Sequence, residues 1–144
     1  MFTLIRKLHH TRLLTVAGLW YLLHAILTTG VNLMVLLCIA AKLHPNRIAV
    51  TDDHERLNYI QLREQVGSLA VALHMDHGVR SQQKVAIVCR NHAAAIKAIF
   101  AVSRLGAHLF LLNPEMSADQ LLALEDRVQF DFVIYDEQFC NVRN

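Results

Sequence analysis

The sequence predicts an α/β fold built on a short parallel sheet, and three observations carry that expectation. Between Lys84 and Tyr135, short apolar runs alternate with amphipathic ones in the order strand, helix, strand, helix, strand. The first run, Lys84 to Cys89, is apolar almost throughout instead of alternating, as a strand covered by helices on both faces must be. The turns between runs are short, and crossovers between parallel strands are right-handed, so two successive units set three strands side by side under a layer of helices.

In chain order, Met1 to Arg12 is short and basic. From Leu13 to Ala41, 29 residues carry no formal charge. A membrane span needs about 20 mainly apolar residues, so this stretch is long enough for one. Thr15, His24, Thr28, Thr29 and Asn32 interrupt it, and Gly30 suits a break between two helices, roughly Leu13 to Leu27 and Leu33 to Leu43, buried against protein. An interfacial helix is the middle option. A secretory signal fits less well, because the apolar part is too long and no small-residue cleavage site follows. Basic residues on both flanks give a span no orientation.

His44-Pro45-Asn46 marks the first boundary, since proline disfavours helix in the residue before it. Residues 1–43 thus form an appendage, 44–139 an α/β unit and 140–144 a tail. Ile48-Ala49-Val50 reads as a strand, Asp52-Asp53-His54 as a turn, and Arg56-Leu57 as the return of a small hairpin. Asn58 caps a helix, with Gln61 at the reciprocal position. Along Tyr59 to His77, Leu62, Val66, Leu69, Ala70 and Leu73 keep helical spacing, Arg63, Glu64 and Gln65 face water, and Gly78 is the stop. Ser81-Gln82-Gln83 turns into the first sheet strand.

His92 to Leu105 is the first crossover helix, with Ile96, Ile99, Phe100 and Val102 as its apolar side and Lys97 and Arg104 on its wet side. Gly106 ends it in the left-handed conformation, which a residue without Cβ adopts freely. His108 to Leu112 is the second strand, closed by Asn113-Pro114. Ser117 and Gln120 have capping-box spacing for the second helix, in which Leu121, Leu124 and Val128 face inward. Phe132 to Tyr135 is the third strand.

A chain of 144 residues with net charge +2 has room for one ordinary core, and its basic residues are spread along it, which argues against nucleic-acid binding. Cys38, Cys89 and Cys140 are odd in number and read as free thiols in a reducing compartment.

Open parallel sheets bind ligands at the carboxyl ends of their strands, which points to the turns Cys89-Arg90-Asn91-His92 and Leu112-Asn113-Pro114-Glu115. Neither holds a glycine. The five glycines, Gly18, Gly30, Gly67, Gly78 and Gly106, are all more than ten residues apart, so the sequence has no dinucleotide fingerprint and no phosphate-cradling loop. Cys89 and His92 suggest a metal pair or a thiolate with its base, but a zinc site needs three or four converging ligands and no second pair is present. The plainer reading of Cys89 is a small apolar residue ending a buried strand. His74, Asp76 and His77 sit at a helix end, where the dipole favours histidine without any ligand. No carboxylate pair is placed for acid-base work. These residues assign no catalytic, cofactor-binding or metal site.

Several stretches resemble the amino-terminal part of the adenylate-forming superfamily, the acyl-CoA synthetases and their relatives. His44-Pro45-Asn46-Arg47-Ile48-Ala49-Val50 resembles the family's "HPDRPAV" strand, and Leu57-Asn58-Tyr59-Ile60-Gln61-Leu62 resembles "LTYxEL", with Asn58 where threonine is usual. Gly78-Val79 before Lys84-Val85-Ala86-Ile87 is similar to "GVxxGDxVAI", with Gln83 and Lys84 read in place of Gly-Asp. Cys89-Arg90-Asn91-His92, Leu105-Gly106-Ala107, Leu111-Leu112-Asn113-Pro114 and Tyr135-Asp136-Glu137-Gln138-Phe139 look like bacterial long-chain fatty-acid-CoA ligases in particular. Each motif alone is weak, while their shared order and spacing over Leu33 to Phe139 are specific.

The resemblance implies a ligase that uses ATP and magnesium to turn a fatty acid into an acyl-adenylate and then passes the acyl group to coenzyme A. The family's phosphate loop, adenine motif, ribose-binding aspartate and catalytic lysine all come later than the matching stretch, so no catalytic residue carries over. The expectation is a cytoplasmic amino-terminal fragment, inactive alone, with fatty acid and CoA as the family's partners and membrane association through 13–41 left open. The alternative is a membrane-tethered, non-catalytic interaction module of the same fold, and a third option is an enzyme that uses the Cys89 to His92 turn.

Overall fold

The computed structural model describes residues 33–136. Expectations for Leu13 to Leu27, Gly30, Cys140 and the tail lie outside these residues. The described elements are α1 (Leu33–Leu43), β1 (Ile48–Thr51), β2 (Arg56–Asn58), α2 (Tyr59–Met75), β3 (Lys84–Val88), α3 (Ala93–Arg104), β4 (His108–Leu111), α4 (Ala118–Val128) and β5 (Phe132–Tyr135).

The last part of the uncharged stretch is α1, and it packs on protein. Met34 and Leu37 join Leu57, Leu62, Val66, Ala70 and Ala101 in one core, and the Leu33 amide is held by Ser103 Oγ at 3.1 Å. Among the described residues no helix is long and apolar enough to cross a membrane.

β1 and β2 pair antiparallel as the predicted hairpin. Asn58 and Gln61 form the expected reciprocal cap of α2, and Ser117 and Gln120 that of α4. Gly78 and Gly106 take φ of +72° and +70°, as helix stops at these positions require. Behind Gly78, His74 Nδ1 donates to the Val79 carbonyl at 2.9 Å, so this histidine closes the helix end through the backbone.

The three parallel strands run in the order β4-β3-β5. The chain leaves β3 for one neighbour and then crosses back over it to reach the other. Two right-handed crossovers in opposite directions put their helices on opposite faces, as the apolar run of β3 requires, and not in a single layer. Side chains of β3 confirm the split, since successive residues point to opposite faces. Val85 and Ile87 pack with Ala98 and Val102 of α3, whereas Val88 faces Leu121 and Leu122 of α4. On that second face Phe110 meets Phe130 edge-on, with centroids 5.2 Å apart.

Of the side-chain expectations for the two crossover helices, that for Lys97 needs correction and the other two need only detail. The closely packed stripe of α3 is Ala93, Ala95, Ala98, Ala101 and Val102, and the larger Ile96, Ile99 and Phe100 are only half-buried. Small residues let the helix approach both the sheet and α2, leaving the bulky ones to fill the margins. Lys97 does not face water; it bridges Glu55 at 2.6 Å and Gln65 at 3.1 Å, tying α3 to the hairpin turn and α2. Leu121, Leu124 and Val128 of α4 point inward but remain half-buried.

The register of one resembling stretch also shifts by one position. Gln82 has φ +69°, and it is the fifth residue counted from Gly78, so Gln82-Gln83 occupy the Gly-Asp positions, not Gln83-Lys84. Its amide donates to the Gly106 carbonyl at 2.9 Å, which holds the turn in place. A left-handed backbone costs a residue with a Cβ about 1–2 kcal/mol, and glycine's larger entropy loss on folding returns about 0.5–1 of that. Gln82→Gly is therefore expected to stabilise the fold by about 0.5–1 kcal/mol, measured as a rise in the urea midpoint at unchanged slope.

Candidate functional site

The carboxyl ends of β3 and β5 meet at the first turn singled out in the sequence. Asp136, just past β5, accepts the Arg90 amide at 3.0 Å and contacts His92 Nε2 at 2.8 Å. His92 is also the N-cap of α3, its Nδ1 accepting the Ala95 amide at 3.3 Å. A ring nitrogen that accepts carries no hydrogen, so making both bonds together calls for the tautomer with its proton on Nε2, donated to Asp136. Both ring nitrogens are thus engaged.

Cys89 is not bonded to His92. Its thiol lies 3.8 Å from the Ile134 carbonyl oxygen. Burial, reinforced by the carboxylate of Asp136, pushes the thiol up to about 12. A nucleophilic cysteine needs the thiolate near neutral pH, so this environment selects against one. The thiolate-and-base option finds no support in this environment, and the plainer reading of Cys89 agrees with it. Among the described residues no three His, Cys, Asp or Glu side chains converge on a metal position either.

The amino end of α3 is the natural anion site of such a sheet, and the chain fills it from within. Asp52, at the end of β1, accepts the Ala93 amide through Oδ2 at 2.8 Å, and its Oδ1 accepts the His54 and Glu55 amides at 2.9 and 2.8 Å. Those bonds, Ala93 first, lower its carboxyl to about 2. A carboxylate of this chain stands where a phosphate would otherwise find the helix dipole and free amides.

The second turn leads to a cavity of about 270 Å³ between α4 and the sheet, lined by Asn113, Pro114, Leu121, Val133 and Tyr135 among others. Val88, which directly precedes the first turn, shares this wall, so the sheet brings the two turns to neighbouring places without joining their chemistry. Asn113 Oδ1 accepts the Glu115 amide at 3.0 Å and is used up in the turn itself. Asp52 and Asp136 are the polar residues that sequence reasoning did not single out as site members. A turn aspartate carries no mark of a bond made 41 residues later.

The family model described as AMP-binding enzyme matches residues 39–143. The 2-succinylbenzoate–CoA ligase of Bacillus mycoides (strain KBAB4) is 35% identical over 100 residues, which cover 69% of this chain and 20% of that protein. The ligase of the same name from Bacillus cereus (strain ATCC 10987 / NRS 248) matches with the same identity and coverage. Among solved structures, a long-chain-fatty-acid CoA ligase from Rhodopseudomonas palustris superposes with a TM-score of 0.70 at 26% identity, over 77% of this chain and 28% of that one. The O-succinylbenzoate Coenzyme A Synthetase of Bacillus subtilis, in complex with AMP, gives 0.67 at 28% identity, over 72% and 27%. The chain spans about one fifth of the length of the curated relatives it matches. With the matched region taking in the hairpin and all three parallel strands, the chain belongs to the AMP-binding enzyme family and carries the amino-terminal portion of the adenylate-forming fold.

Proposed function

We propose that this chain is the amino-terminal scaffold of an acid–thiol ligase that activates a carboxylic acid with ATP and magnesium and transfers it to coenzyme A. The observation that carries the reading is the match of the AMP-binding enzyme family over residues 39–143, which take in the hairpin and the parallel sheet. Among the described residues Asp52 occupies the amino end of α3, which supports placing the phosphate chemistry in another part of such a ligase. An aryl acid of the 2-succinylbenzoate kind is the favoured substrate, because the similar curated ligases carry that name. A fatty acid is the second reading, supported by the likeness to the Rhodopseudomonas palustris ligase.

The test has two arms. The chain alone is expected to show no acid-dependent exchange of labelled pyrophosphate into ATP. A chimera in which residues 39–143 replace the matching region of the Bacillus mycoides ligase is expected to restore exchange with 2-succinylbenzoate. Exchange by the isolated chain would defeat the scaffold reading, and a folded chimera active only on fatty acids would defeat the aryl assignment.

A further inference from the structure

The ring of His92 holds two elements at once. Nδ1 closes the first turn of α3 through the Ala95 amide at 3.3 Å, and Nε2–H anchors the end of β5 through Asp136 Oδ1 at 2.8 Å. Only the neutral ring with its proton on Nε2 can make both bonds. The side chain is 28% exposed, so solvent protons reach it.

We propose that His92 is a pH-responsive latch: protonation at Nδ1 releases the first turn of α3 while the end of β5 stays attached. The groups around the ring set this asymmetry. Asp136 faces Nε2, and although burial raises its carboxyl, the Arg90 amide, the His92 ring and the Cys89 thiol together hold it below its ordinary value. It therefore stays ionised while an imidazole titrates, and its bond to the ring strengthens when the ring becomes charged.

On the other side, the protonated Nδ1 has no lone pair for the Ala95 amide, and the positive end of α3 opposes a cation at its cap. Asp52, from the end of β1, keeps the Ala93 amide, so the helix loosens at one position and does not unravel. Lys97 and Glu55 lie one turn further on and pair with each other at 2.6 Å. Arg90, next to the thiol in the same loop, is exposed. Because α3 packs into both cores, through Ala101 in one and Ala98 and Val102 in the other, acid would loosen the start of the helix that lies between them, while the bonds to hairpin and sheet persist.

Amide exchange on the full chain, compared between the native protein and His92→Asn, tests the latch. Asparagine caps helices well and does not titrate. The Ala95 protection factor is expected to fall about fivefold between pH 7.5 and 5.5 in the native protein, the loss of one cap, and to stay constant in the variant. The Arg90 amide, bound to Asp136, is expected to stay protected in both. Constant protection of native Ala95, or an equal fall in the variant, would overturn the proposal. Ring nitrogen shifts of the native chain give a reading that needs no variant: an Nδ1–H tautomer at pH 7.5 would overturn it as well.

Discussion

An Ile87→Ala substitution is expected to lower the free energy of unfolding by about 3 kcal/mol. Ile87 is 3% exposed in the central strand, registered against Leu111 on one side and Ile134 on the other, and it packs with Ala98 and Val102 of α3. Truncation removes the transfer free energy of three carbons and leaves a void. The facing helix residues are already small, so they have little side chain with which to fill it. A domain of this size has about 5–15 kcal/mol in total, so the loss is a large share. Leu122→Ala is the control. That leucine is 58% exposed, and its truncation should stay within about 0.5 kcal/mol. Urea unfolding of both variants at equal slope gives the comparison, and a loss below about 1 kcal/mol for Ile87→Ala would mean that the central strand is not clamped against α3.

Asp52→Asn is expected to destabilise the fold in a manner that disappears in acid. The carboxylate accepts three amides through two oxygens, whereas an asparagine side chain offers one oxygen and turns a donor toward the remaining N–H groups. Either the hairpin turn or the first amide of α3 loses its partner. Because the folded carboxyl is lowered to about 2 from an ordinary 3.8, the ionised form favours the folded state. That contribution is fully present above 3.8 and is lost as the pH falls through about 2. The urea midpoints of native protein and variant should thus lie furthest apart near pH 5 and converge by pH 2. A constant separation over that range would show that the charge of Asp52 does not act on folding.

The sequence was most informative where structure is decided locally. Asn58 with Gln61 and Ser117 with Gln120 cap their helices because both partners lie within one turn, and Gly78 and Gly106 stop helices by their own conformational freedom. The unbroken apolar run in β3 announced burial on both faces. What the sequence concealed depends on distant partners. Lys97 resembles any solvated lysine until Glu55 and Gln65 are brought beside it. Gln82 gives no local sign of a left-handed backbone; only the Gly106 carbonyl, reached through the fold, shows why it adopts one.

The candidate turn was placed correctly at the carboxyl end of β3, but its chemistry was not legible. The sequence sets His92 beside Cys89, and the structure pairs it with Asp136 instead. Sequence proximity favoured the thiol, while sheet order brought the carboxylate within reach. The resemblance to long-chain fatty-acid ligases in particular likewise gives way to the coarser family, since the similar curated proteins are named for 2-succinylbenzoate.

The middle position of β3 also bears on the order in which the chain assembles. Val85 meets Leu109 after one helix, but it meets Phe132 only after roughly twice that length of chain. Each doubling of a closed loop costs about 0.6 kcal/mol of entropy, so the nearer partner has a small head start. During synthesis the advantage grows, because Phe132 to Tyr135 leave the ribosome after His108 to Leu111. A nascent chain can complete one half of the sheet while the flank meant for β5 still lies bare, and in that interval it is most exposed to capture by a stray strand.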